Sequence, residues 1–326
     1  MSIEKELSIV IPCYGSEKTI RGVVHELKHE MNEHGCSKYE IILVSDASPD
    51  SVYQVICELA QEDRRIRGVE LSRNFGQHAA LMAGYWIATG DYIVSLDDDG
   101  QIPIEQLFSL VERLEEGYDV AYASFQNNTR GGFRLLGTKV NDIMARILLE
   151  KPRKLEITSF FAMKRFIQQE ILRYTGRYPY IAGLVLRTTR NICNVPSVLR
   201  KRQEGKSGYT IFKLISLWLN GFTAFSVKPL RVATIIGALF AFAGFAFGLQ
   251  VVISRLRNPN MVAGYASIVA ILLFIGGIIM LVLGLIGEYI GRIYICINQS
   301  PQYVIRGTVN LEKGKRNSTD VDMSVQ

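Results

Sequence analysis

Asp97-Asp98-Asp99 closes the apolar run Tyr92-Ile93-Val94-Ser95-Leu96. A strand that delivers adjacent carboxylates to one place sets like charges against each other, a cost relieved when a cation stands among them. Oxygen ligands of this kind suit a hard divalent ion, Mg²⁺ or Mn²⁺, shared with the phosphates of a substrate. Alternate residues of an extended segment point the same way, so Asp97 and Asp99 can face one ion while Asp98 turns aside. The competing reading is an acidic surface turn, because Asp99-Gly100 is a favourable turn dipeptide. Other polar residues also stand where apolar runs end: Pro12, Tyr14 and Glu17, then Asp46, then Arg73 and Asn74. Asp46 could accept hydrogen bonds from a base or ribose, and Arg73 could lie near phosphate. A capping aspartate and a solvated arginine are the plain alternatives.

Alternating strand and helix signals place these residues. Strands are predicted at Leu7 to Pro12, Tyr39 to Ser45, Arg67 to Leu71 and in the run ending at Asp97; helices at Thr19 to Glu33, Val52 to Asp63 and Gln77 to Thr89. This order implies an α/β fold with a doubly wound, mostly parallel sheet. Ligands of such sheets bind beyond the carboxyl ends of the strands, where the polar residues stand. No GxGxxG follows the first strand and no Walker A sequence occurs, so dinucleotide and P-loop chemistry lose their main support. Carboxylates with a metal point instead to a nucleotide diphosphate.

The chain of 326 residues is 48% hydrophobic, and the excess is concentrated. Val232 to Ile253 and Tyr265 to Gly287 carry no charge, and each reaches the roughly 20 residues a membrane-crossing helix needs. A membrane hairpin is predicted. Basic residues outnumber acidic ones 37 to 31, a formal charge of +6. Lys228 and Arg231 precede the hairpin, and Arg292, Arg306, Lys313, Lys315 and Arg316 follow it, which puts both flanks on the cytoplasmic side; Arg255 and Arg257 in the loop count against this. Glu4, Lys5 and Glu6 open no signal peptide. Five cysteines without paired spacing suit a reducing compartment and argue against zinc. With no nucleic-acid motif, the basicity is assigned to anionic lipid and phosphate rather than nucleic acid.

A second basic group comprises Arg130 and Arg134 in a glycine-containing loop, then Arg200, Lys201, Arg202 and Lys206. It could bind donor and lipid phosphates or simply be attracted to headgroups. Gly205 and Gly208 give Arg202 and Lys206 a loop able to close on phosphate. Ile211 to Phe225 reads as an interfacial helix with Trp218 at headgroup depth, or as a core helix. After Thr308 the composition predicts a disordered tail.

Val10-Ile11-Pro12-Cys13-Tyr14, Val44-Ser45-Asp46-Ala47-Ser48-Pro49-Asp50, Leu71-Ser72-Arg73-Asn74-Phe75-Gly76 and Leu96-Asp97-Asp98-Asp99-Gly100-Gln101 resemble the family 2 glycosyltransferases in order and spacing. The membrane-anchored polyprenyl-phosphate sugar transferases are the most similar group, including dolichyl-phosphate mannose synthase and bacterial undecaprenyl-phosphate transferases. Gly205-Lys206-Ser207-Gly208-Tyr209, Phe225 to Arg231 and the two apolar runs extend the resemblance to about Thr308. It implies a GT-A fold, a nucleotide-sugar donor and Mg²⁺ or Mn²⁺ at Asp97, Asp99 and Gln101. Pro12, Tyr14, Glu17 and Asp46 would line the nucleoside pocket, with Arg73 and Asp98 beside the donor. Arg134 would act with Asp97 and Asp99 at the reacting phosphates, and Arg202 and Lys206 would hold phosphate. Two stretches depart from the family pattern: Gly15-Ser16 replaces a common Asn-Glu, and Ser159-Phe160-Phe161 stands where many relatives have Asp-Phe-Arg. No catalytic base is assigned there.

The expected layout is a cytoplasmic GT-A domain at 1–208 and an interfacial segment at 209–231. Membrane helices follow at 232–253 and 265–290 around an outer loop at 254–264, then a tail at 291–326. Expected partners are the nucleotide sugar, polyprenyl phosphate, membrane lipids and a second copy of the chain, at the inner membrane of the cell with the catalytic domain cytoplasmic. A degenerate scaffold or a transferase with another acceptor is the alternative. A processive polysaccharide synthase lacks its Gln-x-x-Arg-Trp motif here.

Overall fold

The computed structural model describes residues 5–125, 152, 155–198, 200, individual helical positions between 235 and 257, 264–297 and 301–311. The chain divides into one unit made of Met1–Tyr209 with Gln299–Gln326, and a second made of Thr210–Asn298.

The first unit is built on strands β1 (Leu7–Cys13), β2 (Tyr39–Ser45), β3 (Ile66–Leu71), β4 (Tyr92–Ser95), β5 (Val120–Phe125), β6 (Phe161–Lys164), β7 (Ile192–Ser197) and β8 (Ile305–Val309). They form one sheet in the order β7-β5-β6-β4-β1-β2-β3-β8. Strands β1 to β4 pair in parallel, β6 runs antiparallel between β4 and β5, and β7 is parallel to β5. β1 and β2 are buried at every position, which is why each reads as a continuous apolar run rather than an alternating one.

Helices cover both faces. α1 (Ile20–Glu33) turns Ile20, Val23, Val24, Leu27 and Met31 inward at helical spacing. With α2 (Val52–Glu62) and α4 (Leu107–Glu115) it packs on the face that carries Leu7, Ile9 and Ile11 of β1. α3 (Gln77–Ile87) lies on the opposite face, where Gly84 meets β1 and β2. A Cβ at Gly84 would stand 2.3 Å from Val10 Cγ1, so the absence of a side chain lets the helix lie against the sheet. That close approach fixes Gln77 and His78 in the first turn of α3. Two further helices, α5 (Arg165–Leu172) and α6 (Ile181–Thr188), follow β6.

The sequence offers no expectation of β8, which joins the sheet antiparallel to β3 and forms its edge. Its burial alternates half-buried and exposed, as for an edge strand with one wet face. Asn310, just beyond it, donates from Nδ2 to the carbonyls of Ala60 (2.5 Å) and Ile66 (2.9 Å). Val309 and Asn310 are thus part of the domain, although the composition after Thr308 suggests a tail.

In the second unit, α7 (Tyr265–Ile297) is 33 residues long and extends past the predicted end at 290. The window Phe274–Gly291 has a mean hydropathy of 2.0, and among the described residues this is the one helix long and apolar enough to cross a membrane. Leu272, Phe274, Ile279, Met280, Leu283 and Ile290 are all exposed along it. Described positions between 235 and 257 are helical, and Ile235, Leu239, Phe242 and Phe245 among them are exposed.

Candidate active site

The carboxyl ends of β1, β2, β3 and β4 bring the polar residues together, and hydrogen bonds between their loops lock the arrangement. Asp98 Oδ2 accepts from the Tyr14 amide (2.9 Å), and the Asp98 carbonyl accepts from Thr19 Oγ1 (2.7 Å). Asp98 therefore ties the β4 loop to the β1 loop, its carboxylate engaged within the protein. Asp50 accepts from the Glu17 amide (2.9 Å), and Glu17 Oε2 accepts in turn from the Ser51 amide at the start of α2 (3.1 Å). The buried Asp46 takes the amides of Phe75 (2.7 Å) and Gly76 (2.8 Å), shaping the loop that leads into α3. Burial raises its carboxyl above the usual range, and those two amides pull it back.

Pro12 is buried in β1. Pairing with β4 stops at Val10, so the missing proline N–H falls where that ladder has ended. Tyr14, 54% exposed, stands free for stacking against a planar ligand. Arg73 is exposed, with its guanidinium 4.5 Å from the Phe75 ring centroid. Arg200 holds the chain beyond β4: its amide donates to the Gln101 carbonyl (3.0 Å) and its guanidinium pairs with Glu26 and Glu105. Its charge is engaged within the protein, unlike the free phosphate ligand the basic cluster suggests. Arg134, Arg202, Lys206 and the segment 209–231 lie outside the described residues.

Asp97 has two partners that sequence reasoning missed. Gln77 Nε2 donates to Oδ1 (2.8 Å), and Ser159 Oγ donates to Oδ2 (2.5 Å). Neither partner is charged. Burial, reinforced by repulsion from Asp99 and Asp98, pushes the Asp97 carboxyl up to about 6. Asp99 accepts from the Gln101 amide (3.1 Å), folding the loop back on itself. Among the described residues no three His, Cys, Asp or Glu side chains form a metal cage of their own. Mg²⁺ does not need one: it is commonly held by one or two carboxylates, with substrate phosphates and water completing the shell. A close carboxylate pair with neutral hydrogen-bond partners fits that kind of ion.

Beside Asp97 lies a cavity of about 200 Å³, bordered by Gln77, His78, Tyr122, Ser159, Phe161 and Tyr180. Burial pushes the His78 imidazole down to about 4. In the sequence this cavity is traced by Ser159 and Phe161, in the stretch that departs from the pattern the family resemblance leads one to expect. The rest is tertiary: β5, α3 and the start of α6 meet here from distant parts of the chain.

A sheet covered on both faces, with carboxylates at the end of a central strand and loops zipped around a cleft, defines a GT-A architecture. In agreement, the fold matches that of glucosyl-3-phosphoglycerate synthase from Mycobacterium tuberculosis, crystallised with Mn²⁺ and UDP-glucose. The TM-score is 0.50 at 17% identity, covering 68% of this chain and 77% of that one. Residues 8–175 match the model of glycosyl transferase family 2, and residues 228–293 match that of the GtrB C-terminal hairpin. The chain belongs to glycosyltransferase family 2 and is an enzyme of that class. It is 32% identical to the uncharacterized glycosyltransferase YkcC of Bacillus subtilis (strain 168), over 99% of this chain and 100% of that protein. It is 34% identical to the undecaprenyl-phosphate 4-deoxy-4-formamido-L-arabinose transferase of Klebsiella pneumoniae (strain 342), over 94% of each chain.

Proposed function

We propose that the enzyme transfers one sugar from a nucleotide-sugar donor to a polyprenyl phosphate, such as undecaprenyl phosphate, at the cytoplasmic face of the membrane, with inversion at the anomeric carbon. The observation that carries this reading is the 34% identity to an undecaprenyl-phosphate sugar transferase over 94% of both chains, which takes in the C-terminal hairpin as well as the catalytic domain.

The chemistry of the site supports it. Asp97, Asp99 and Gln101 would hold Mg²⁺ or Mn²⁺, which when bound neutralises the diphosphate oxygens from which the sugar departs. Gln77 and Ser159 keep Asp97 turned toward that position. Asp98 and Asp46 set the loops that bear Tyr14 and Arg73, and so shape the nucleoside and diphosphate side of the cleft. A phosphate monoester has its second pKa near 6, so the acceptor oxygen is already largely anionic at neutral pH. It attacks the anomeric carbon as the carbon–oxygen bond to diphosphate breaks, and nucleoside diphosphate leaves. Ser159 in place of an acid is compatible with a reaction that needs no proton abstracted.

Membrane crossing follows the same reading. Both ends of the 210–298 unit connect to the catalytic unit, with β8 returning to pair with β3. Crossings between those ends must therefore be even in number, which suits a hairpin at 232–253 and 265–290. The long apolar window of α7, Phe274–Gly291, suits lipid rather than water.

The test is incubation of detergent-purified full chain with undecaprenyl phosphate, Mn²⁺ and a panel of radiolabelled UDP- and GDP-sugars. A chloroform-soluble labelled product, lost on chelation and of inverted anomeric configuration, is expected. Donor turnover with label only in water-soluble product would rule out the lipid acceptor, and retained configuration would rule out the direct displacement.

A further inference from the structure

The cavity beside Asp97 holds chemistry that the metal and nucleotide contacts leave unused. At about 200 Å³ it falls below the roughly 300–1,000 Å³ of sites that enclose a whole small molecule, so it takes one ring rather than a nucleotide sugar. Two residues of its wall carry buried polar atoms, Nδ1 of His78 and the hydroxyl of Tyr122, that have no hydrogen-bond partner among the described residues. Tyr122 is 1% exposed, so bulk water does not satisfy it. Buried polar atoms are nearly always paired, and an unpaired one lowers stability unless something enters to complete it.

The identity of that occupant follows from what surrounds it. Among the described residues no lysine or arginine lines the cavity, and burial keeps the His78 imidazole neutral near pH 7. A phosphate would bring charge and only acceptor oxygens, with no cation among these lining residues to meet it. A neutral imidazole and a phenol each offer both a donor and an acceptor, the pattern that a hydroxyl or amide group reciprocates. Aromatic rings share the rest of the wall with Leu81, Ile157 and Ile181: the Tyr122 and Phe161 rings lie 4.9 Å apart, and Tyr180 stands edge-on to His78 at 5.3 Å. Rings of this kind offer apolar faces beside their polar tips, matching a sugar with C–H faces and hydroxyl edges. Gln77 and Ser159, both exposed at the rim, bind Asp97 directly. An occupant of the cavity therefore ends next to the carboxylates that would meet the donor diphosphate.

We propose that this cavity is the pocket for the transferred sugar, that it accepts an uncharged ring, and that His78 and Tyr122 select the sugar by hydrogen bonds to its neutral polar substituents. The inference rests on the glycosyl-donor reading above and adds the residues that choose among donors. A uronic acid fits this lining less well than a neutral sugar, because among the described residues no lysine or arginine lines the cavity to meet its carboxylate.

Equilibrium binding to the full chain in detergent, with Mg²⁺ present, separates the possibilities. The probes are UDP, GDP, UDP-glucose, UDP-N-acetylglucosamine, GDP-mannose and UDP-glucuronate. An uncharged-sugar donor is expected to bind the wild type more tightly than its own nucleoside diphosphate. That gain should be lost or cut about tenfold in Tyr122→Phe and in His78→Leu, with the nucleoside diphosphate bound as before. Because the Tyr122 hydroxyl has no partner among the described residues, Tyr122→Phe should also leave the thermal midpoint unchanged or higher, which a structural hydroxyl would not do. A sugar-dependent gain surviving in both variants overturns the proposal. So does preference for UDP-glucuronate, or no gain from any sugar while UDP or GDP binds. If neither UDP nor GDP binds, the donor reading itself fails, and the pocket assignment with it.

Discussion

The Asp97 carboxylate, held by Gln77, and the imidazole of the adjoining His78 in the first turn of α3 are displaced in opposite directions by burial. Asp97 is pushed up to about 6 and His78 down to about 4. An unfolded histidine titrates near 6.5, so between about pH 6.5 and 4 the unfolded chain binds a proton that folded His78 refuses. The stability associated with His78 is therefore full above about pH 6.5 and lost as pH falls toward 4. For Asp97 the folded state holds the proton more tightly, so this group favours folding as pH falls from about 6. The two offset each other in the wild type. Replacing His78 with Gln should remove one arm, so the variant gains on the wild type by about 2–3 kcal/mol between pH 7 and pH 4.5. Thermal midpoints of both proteins at the two pH values check this; parallel shifts would contradict it. At this scale part of the site was legible in the sequence, because polar residues standing where apolar runs end mark the loops at the carboxyl ends of β1, β2, β3 and β4. The grip of Gln77 and Ser159 on Asp97 was not, because it joins residues far apart in the chain through the fold alone.

Among the elements, β1, β2 and β4 were legible as bounded, largely apolar runs, and α1 and α2 as helices with an apolar stripe. β8 was not. Ile305–Val309 carries an arginine and a glycine, and the strand it pairs with, β3, lies near the other end of the sequence. Nothing local marks a strand that is made by its partner. Its attachment is nonetheless specific. At Gly68 of β3 a Cβ would approach Val309 and Ile56 to 2.5 Å, so glycine there lets the edge strand and α2 close together. Asn310 adopts φ 57° and donates to two backbone carbonyls. Asn310→Ala removes both bonds and places a non-glycine residue in a left-handed conformation it tolerates poorly. It should destabilise the catalytic unit by about 2 kcal/mol. The readout is the thermal midpoint together with protease sensitivity near residue 310, both expected to change. An unaltered midpoint would mean that β8 contributes nothing to the unit it borders.

For the whole molecule, the return of the chain to β3 after α7 ties the end of the hairpin unit to the domain that precedes it. Reporters fused at the N-terminus and after residue 311 should report the cytoplasm, and one inserted in 254–264 the opposite side. Any split between the first two would break the hairpin topology. In the proposed reaction the carboxylates, the sugar cavity and the membrane hairpin serve one transfer. Proteoliposomes containing undecaprenyl phosphate, supplied with a mixed pool of nucleotide sugars and Mg²⁺, test it without prior choice of sugar, by mass spectrometry of the extracted lipid. A lipid heavier by a single sugar residue is expected with the wild type, and at least about a hundredfold less of it with Asp99→Asn. An unchanged lipid mass with the wild type, an equal product from Asp99→Asn, or a ladder of repeated sugar additions would contradict it.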